Sequence, residues 1–392
     1  MSFTLERIEE LSSEVRDGAA DGEKEMRLAD SNAKALRDCG VIRMLQPRDF
    51  GGQEASPREF AEATMALGAL DGATGWVSGI VGVHPWELAV MDRRLQAEIW
   101  AEDPDTWVAS PYAPMGTARP VADGYIVSGQ WTFSTGNDHS DWVVTGATLI
   151  DAEGVPTSPP RTLHVVIPKS DYVVDHASWN VVGLRGTGSK TFKVDGAFVP
   201  DYRTIDSEFV TSGDAWRESG REGSLYKFPF WTIFPLGITS SLIGMAEGAL
   251  ATYFQAQRER VTAAGTKIKE DPYVLFALGE AAADIAASRA AILETVDRFW
   301  DTIERGETVT FEERAAGRRT QVAAAWRAVR ATDAVFANAG GGSLQLSSPL
   351  QRFWRDAHAG LAHAIHVPGR TYHASSLTRM GVEPEGLLRG LI

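Results

Sequence analysis

The sequence predicts an α+β chain in three parts: an N-terminal helical domain over 1–103, a central antiparallel β domain over 104–205, and a polar loop, C-terminal four-helix bundle and tail over 206–392. Three observations carry this. Apolar residues recur at helical spacing behind N-cap residues in the first part. The middle part alternates or runs apolar, rich in β-branched and aromatic residues, with Gly, Pro, Asp and Asn between runs. The last part carries long, Ala-rich amphipathic stretches.

In the first part, "TLERIEELSSEV" places Leu5, Ile8 and Leu11 on one helical face. "SPREFAEATMALGAL" begins with Ser56 as N-cap, Pro57 at the first helical position and Glu59 three residues after the cap. That is a capping box, in which two otherwise orphaned backbone donors are satisfied reciprocally. "MDRRLQAEIW" predicts a short helix after Asp92.

In the middle part, "TWVASPYAP", "YIVSGQWTFS", "DWVVTGATLI", "TLHVVIP" and "KTFKVDGAFVP" read as strands. No helical pattern alternates with them, which argues against a parallel Rossmann sheet. Residues 206–232 are polar and read as a long loop.

From 233 to 366 helices return. "ITSSLIGMAEGALATYFQAQRERV" spaces Gly244 and Gly248 four apart, which admits a close neighbouring helix. "DPYVLFALGEAAADIAASRAAILETVDRFWDTI" predicts a long helix. Another follows from a Thr310/Glu313 capping box, and a last one runs from Ser348-Pro349 to near Pro368. Together they predict an antiparallel bundle.

At 392 residues, 44% hydrophobic and 23% charged, the chain can bury a full core. Its net charge of −14 argues against nucleic-acid or anionic-membrane partners. A lone cysteine, Cys39, excludes a disulfide framework and a cysteine metal site, and fits a reduced, cytoplasmic setting. The charged N-terminus shows no apolar signal-peptide region, and no apolar run is expected to span a bilayer.

Several motifs fall short. "GLRGTGSKTF" resembles a phosphate loop, but Ser189 follows Gly188 and the segment lies among strands, so a tight turn is expected. No GxGxxG follows a strand, so no nicotinamide domain is expected. There is no HExxH; His358, His363 and His366 share one predicted helix with Asp356 nearby, and no metal site is expected. No GxSxG elbow supports a hydrolase. His84, in apolar "GVHPWELA", reads on its own as a satisfied core histidine.

"GQWTFSTGNDHSDW", "VVGLRGTGSKTFKVDGAFVP", "QAQRERV" and "PLQRFWRDAHAG", in this order of helices, strands and helices, resemble the acyl-CoA dehydrogenase fold over nearly the whole chain. The resemblance implies that Phe133 and Thr135 belong to a flavin wall, with the Thr135 hydroxyl at flavin N5. It implies that Arg260 serves a flavin phosphate, often a neighbouring subunit's. Dehydrogenases of this fold need a carboxylate base, commonly seven residues after the Arg-Asp-Ala motif. Here, counting from Arg355-Asp356-Ala357, that position is Ala364.

"TGWVSGIVGVHPWELA", "ASPYAPMG" and "WTFSTGNDHSDW" resemble more closely the branch of flavin-dependent aromatic hydroxylases, the oxygenase components of two-component monooxygenases. Within it, the chain is most similar to hydroxylases of a secosteroid phenol, and less so to 4-hydroxyphenylacetate hydroxylases. This implies His84 and Ser110 as phenol-binding residues and His358 near the flavin. Phe133, Trp142 and Trp179 are expected to keep the pocket dry. It also implies reduced flavin (FMNH2 or FADH2) and O2 as cofactors, and a C4a-hydroperoxyflavin that hydroxylates a phenol ortho to its oxygen. A separate NAD(P)H:flavin reductase and a homotetramer are implied with it. An acyl-CoA dehydrogenase or oxidase, and N- or S-oxygenation of a non-phenolic substrate, stay open as alternatives.

Overall fold

The computed structural model describes residues 2–262, 265–390 and 392. Its N-terminal helices are α1 (Phe3–Glu10), α2 (Ser12–Glu25), α3 (Asp30–Asp38), α4 (Pro57–Leu70), α5 (Gly72–Val81), α6 (His84–Leu88) and α7 (Arg93–Trp100). The capping box on α4 forms as expected, with the Ser56 hydroxyl accepting from the Glu59 N–H and the Glu59 carboxylate accepting from the Ser56 N–H. Asp92 caps α7. The Leu5–Leu11 stripe breaks at Leu11 into two helices, with Ile8 and Val15 buried.

Eight strands form the central sheet: β1 (Val108–Ala109), β2 (Pro114–Val121), β3 (Gly124–Ser134), β4 (Trp142–Leu149), β5 (Thr162–Pro168), β6 (Val173–Asp175), β7 (Lys190–Pro200) and β8 (Thr204–Asp206). Their order is β6-β7-β3-β2-β4-β5-β8, with β1 beside β4. Most pairs are antiparallel, but β2 and β1 each run parallel to β4, so the sheet is mixed rather than purely antiparallel. One face buries Trp131 stacked on Phe192 with Val127 and Val165. The other packs Val144 and Val166 against Leu88, Leu95 and Trp100.

The expected loop over 206–232 is instead largely helical. It holds α8 (Ser207–Thr211), α9 (Asp214–Ser219) and the start of α10 (Phe230–Ile233). Val210, Ala215, Leu225, Tyr226, Phe228 and Phe230 anchor it in the main core, and burying those side chains outweighs the polar composition.

The bundle comprises α11 (Leu236–Gln257), α12 (Pro272–Glu304), α13 (Phe311–Ala337) and α14 (Pro349–Leu361), with α15 (Pro368–Arg379) packed on α13. The last predicted helix therefore stops at Leu361, and the tail supplies another. Central α11 touches α4, α5, α12, α13 and α14, so one hydrophobic cluster joins the N- and C-terminal helices. A Cβ on Gly244 would lie 2.1 Å from the Met65 carbonyl oxygen of α4, which explains the small residue there. One expectation needs correcting: Phe230–Gln257 is long and apolar enough to cross a membrane by length and composition, although 83% of its most apolar window is buried inside the protein.

Candidate active site

Helix α5 is the strut on which the site is assembled. Gly136, in the left-handed region at φ +73°, brings the tip after β3 against α5, where a Cβ would sit 3.0 Å from Val81 Cγ2. Three residues beyond Val81 the chain enters α6 at His84. On another side of α5, Trp76 meets the His363 ring edge-on at 6.0 Å. The sheet tip, the His84 corner and the segment after α14 thus all converge on one helix.

His84 is fully buried. Its Nδ1 lies 2.5 Å from the Val108 carbonyl oxygen, which can only accept, so Nδ1 carries the proton. Nε2 is left as an acceptor, and it is buried with no hydrogen-bond partner among the described residues. Burial pushes the imidazole down to about 4, so the ring is neutral at physiological pH with its Nε2 lone pair free. Ser110, buried two residues past Val108, follows directly from β1.

Aromatic rings surround this corner. Tyr112 meets His84 at 5.7 Å, Phe234 at 5.1 Å and Phe230 at 6.0 Å, and Phe230 stacks on Phe234. Behind them His164 Nδ1 bonds the buried Glu87 carboxylate at 2.5 Å and packs on Tyr112. Burial beside Glu87 raises the Tyr112 phenol well above its usual range. Sequence reasoning missed this Glu87–His164–Tyr112 group, whose members come from α6, β5 and the loop before β2.

The residues expected to form a flavin wall, Phe133 and Thr135, lie at the end of β3. A shift in the β3–β7 register and a tight turn, with the Thr135 N–H donating to the Phe133 carbonyl at 3.0 Å, put Phe133 at φ +65°. A non-glycine residue there is uncommon and strained, and such strain clusters at functional sites. The turn aims the Phe133 ring outward, 65% exposed and edge-on to Trp179 at 6.0 Å. Thr135 points inward and is buried, its Oγ1 2.8 Å from Ser189 Oγ. Trp179 is held by its Nε1, which donates to the Leu184 and Arg185 carbonyls. An apolar ring left this open beside a buried hydroxyl fits a flat cofactor with a polar edge. Phe133, Trp179 and Thr135 are the residues that could hold it.

Other expected residues lie elsewhere. Trp142 does not join this wall; it packs with the α7 cluster, under the Arg203 guanidinium at 5.1 Å. Asp138 pairs with the buried Lys190 at 2.6 Å, and the His139 Nε2 lies 2.9 Å from the Leu28 carbonyl. His358 is partly exposed: its Nδ1 lies 2.8 Å from the Trp354 carbonyl oxygen and its Nε2 3.1 Å from Asp333. Arg260 donates to Gln257 and the Ala339 carbonyl at the end of α11. Among the described residues, no hydrogen bond, ion pair or ring contact joins Arg260 or His358 to Phe133, Thr135 or Trp179. The histidine that reaches α5 is His363, pushed down to about 4 mainly by burial. Ala364 is exposed in the turn beyond α14 and offers no carboxylate.

Asp356 on α14 ties the two halves together. It is buried, accepts from the Leu184 N–H at 2.6 Å, and lies against Gly72 at the start of α5. Burial, aided by Asp71, pushes its carboxyl up to about 7.

Comparison with known proteins agrees with this architecture. The model of the acyl-CoA dehydrogenase C-terminal domain matches residues 236–368. A pigment production hydroxylase of Rhodococcus erythropolis is 52% identical over 388 residues, 99% of each chain. The oxygenase subunit HsaA of a flavin-dependent monooxygenase of Mycobacterium tuberculosis is 41% identical, over 97% of this chain and 96% of the relative. The crystal structure of 3-HSA hydroxylase from Rhodococcus sp. RHA1 superposes with a TM-score of 0.92 at 36% identity, covering 99% of each chain. The chain has the acyl-CoA dehydrogenase-like fold and belongs to the family of flavin-dependent monooxygenase oxygenase components, hydroxylases that use reduced flavin.

Proposed function

We propose that this oxygenase component hydroxylates a phenol ortho to its oxygen, giving a catechol, with a secosteroid phenol as the substrate class. The observation that carries the reading is the His84 Nε2: a buried acceptor without a hydrogen-bond partner among the described residues, in an aromatic-lined corner beside Ser110. A phenol ring fits the aromatic surround, and its hydroxyl is the donor that Nε2 lacks.

Reduced flavin, FMNH2 or FADH2, supplies with O2 the electrophilic oxygen when bound. The chain's own residues do the rest. His84 shares the phenolic proton at Nε2, which enriches the ring in electrons. Ser110 bonds the phenol oxygen and fixes which ring carbon faces the oxidant. Phe133 and Trp179 would hold the flavin ring when it binds, with the buried Thr135 hydroxyl offered to its polar edge at N5. His363, on the far side of α5, is a better-placed C-terminal histidine than His358, because it contacts the helix shared by both halves of the site.

A separate flavin reductase supplies the electrons, as the two-component organisation requires. We place the chain in a homotetramer, where Arg260 and the open face of Phe133 meet a neighbouring copy. The test supplies chemically reduced FMN or FAD, then O2 with a panel of phenols. Catechol formation supports the reading. Reduction of enzyme-bound oxidised flavin by an acyl-CoA, without phenol oxidation, overturns it.

A further inference from the structure

Three hydroxyls line up behind the flavin wall, and donor counting fixes their direction. Thr187 Oγ1 lies 2.8 Å from the Leu184 carbonyl oxygen. A carbonyl only accepts, so Thr187 spends its single proton there. Thr187 Oγ1 also lies 2.7 Å from Ser189 Oγ, and with its proton committed it must accept, so Ser189 donates. Ser189 Oγ then has no proton left for Thr135 Oγ1 at 2.8 Å, so Thr135 donates to Ser189. The chain runs Thr135 to Ser189 to Thr187 to the Leu184 carbonyl. All three hydroxyl residues are buried. The anchor is itself held: the Leu184 N–H donates to Asp356, and the Leu184 carbonyl also accepts from Trp179 Nε1.

We propose that Ser189 and Thr187 are positioning residues that lock the Thr135 hydroxyl as a hydrogen-bond acceptor, so that it selects flavin in the reduced, N5-protonated form. This rests on the placement of Thr135 at N5. Oxidised flavin offers only a lone pair at N5, and would face the Thr135 lone pairs. Reduced flavin offers an N–H, which those lone pairs accept. A neutral hydroxyl is too weak a base to remove that proton, so it holds the proton in place. An oxygenase component fed by a separate reductase needs this discrimination, because it must capture reduced flavin among oxidised molecules.

The test is anaerobic titration of the full-length protein with oxidised and dithionite-reduced FMN and FAD, comparing the ratio of the two dissociation constants. Ser189→Ala frees Thr135 to turn and donate; Thr187→Val frees Ser189 to donate to Thr135. Each is expected to cut the preference for reduced flavin about tenfold, the scale of one net hydrogen bond. Thr187→Ser keeps the relay and should keep the preference. Thr135→Val is the control for placement. If it lowers the preference but Ser189→Ala and Thr187→Val do not, the relay is refuted while Thr135 stays at N5. If Thr135→Val leaves the ratio unchanged, the placement itself fails and the proposal falls with it.

Discussion

Replacing His84 by Asn separates its two nitrogens. The Asn amide can still donate toward the Val108 carbonyl, the role of Nδ1, but nothing replaces the free Nε2 acceptor. A phenol titrates near pH ~10, so at pH ~7 about one molecule in a thousand is ionised. A base that shares its proton in the transition state is therefore worth about 10²–10³-fold in hydroxylation. The fold should survive, since a void of roughly 40 Å3 costs about 1 kcal/mol. The assay measures catechol formation across pH, with O2 consumption and hydrogen peroxide release recorded beside it. Wild type should be nearly flat from about pH 6 upward, because burial holds His84 neutral above about 4. The variant should start about 10²–10³-fold lower at neutral pH and climb roughly tenfold per pH unit as phenolate forms in solution. A folded variant with wild-type rate and a flat profile would refute the role given to His84.

Other expectations follow from the same geometry. Ser110→Ala should loosen ring orientation, seen as mixed hydroxylation positions and more peroxide per catechol, with unchanged thermal stability. Gly244→Ala drives a Cβ to 2.1 Å from the Met65 carbonyl oxygen and should cost about 1–3 kcal/mol in urea unfolding. Asp356 titrates near 7 when folded against an ordinary 3.8, so the folded state binds its proton more tightly. Its contribution is most favourable below pH ~4 and is lost as pH rises toward 7. The stability of wild type relative to Asp356→Asn should accordingly fall over that window, by no more than about 4 kcal/mol; a difference independent of pH would contradict the burial argument.

What was legible in the sequence was what local chemistry dictates. The Ser56 and Thr310 capping boxes each need only four residues, and both form. The helical and strand-rich parts were readable from periodicity, and the Gly244 contact from spacing. Non-local features were not. The parallel β2–β4 and β1–β4 pairs depend on a crossover that no local pattern encodes. The segment 206–232 looked like a loop because its buried aromatics are scattered among charges. That His363 meets Trp76 while His358 faces Asp333 depends on α14 ending at Leu361, which the helical spacing of this segment does not encode. The Thr135–Ser189–Thr187 relay joins residues 54 positions apart, and the turn reading of "GLRGTGSKTF" did not reveal the part those hydroxyls play.

The most direct test of the account is isotopic. The protein is mixed anaerobically with pre-reduced flavin and a secosteroid phenol, then exposed to 18O2. The account predicts one 18O atom in the product, ortho to the original hydroxyl, with formation strongly reduced in His84→Asn. Unlabelled phenol recovered beside stoichiometric hydrogen peroxide, across the phenols tried, would contradict it.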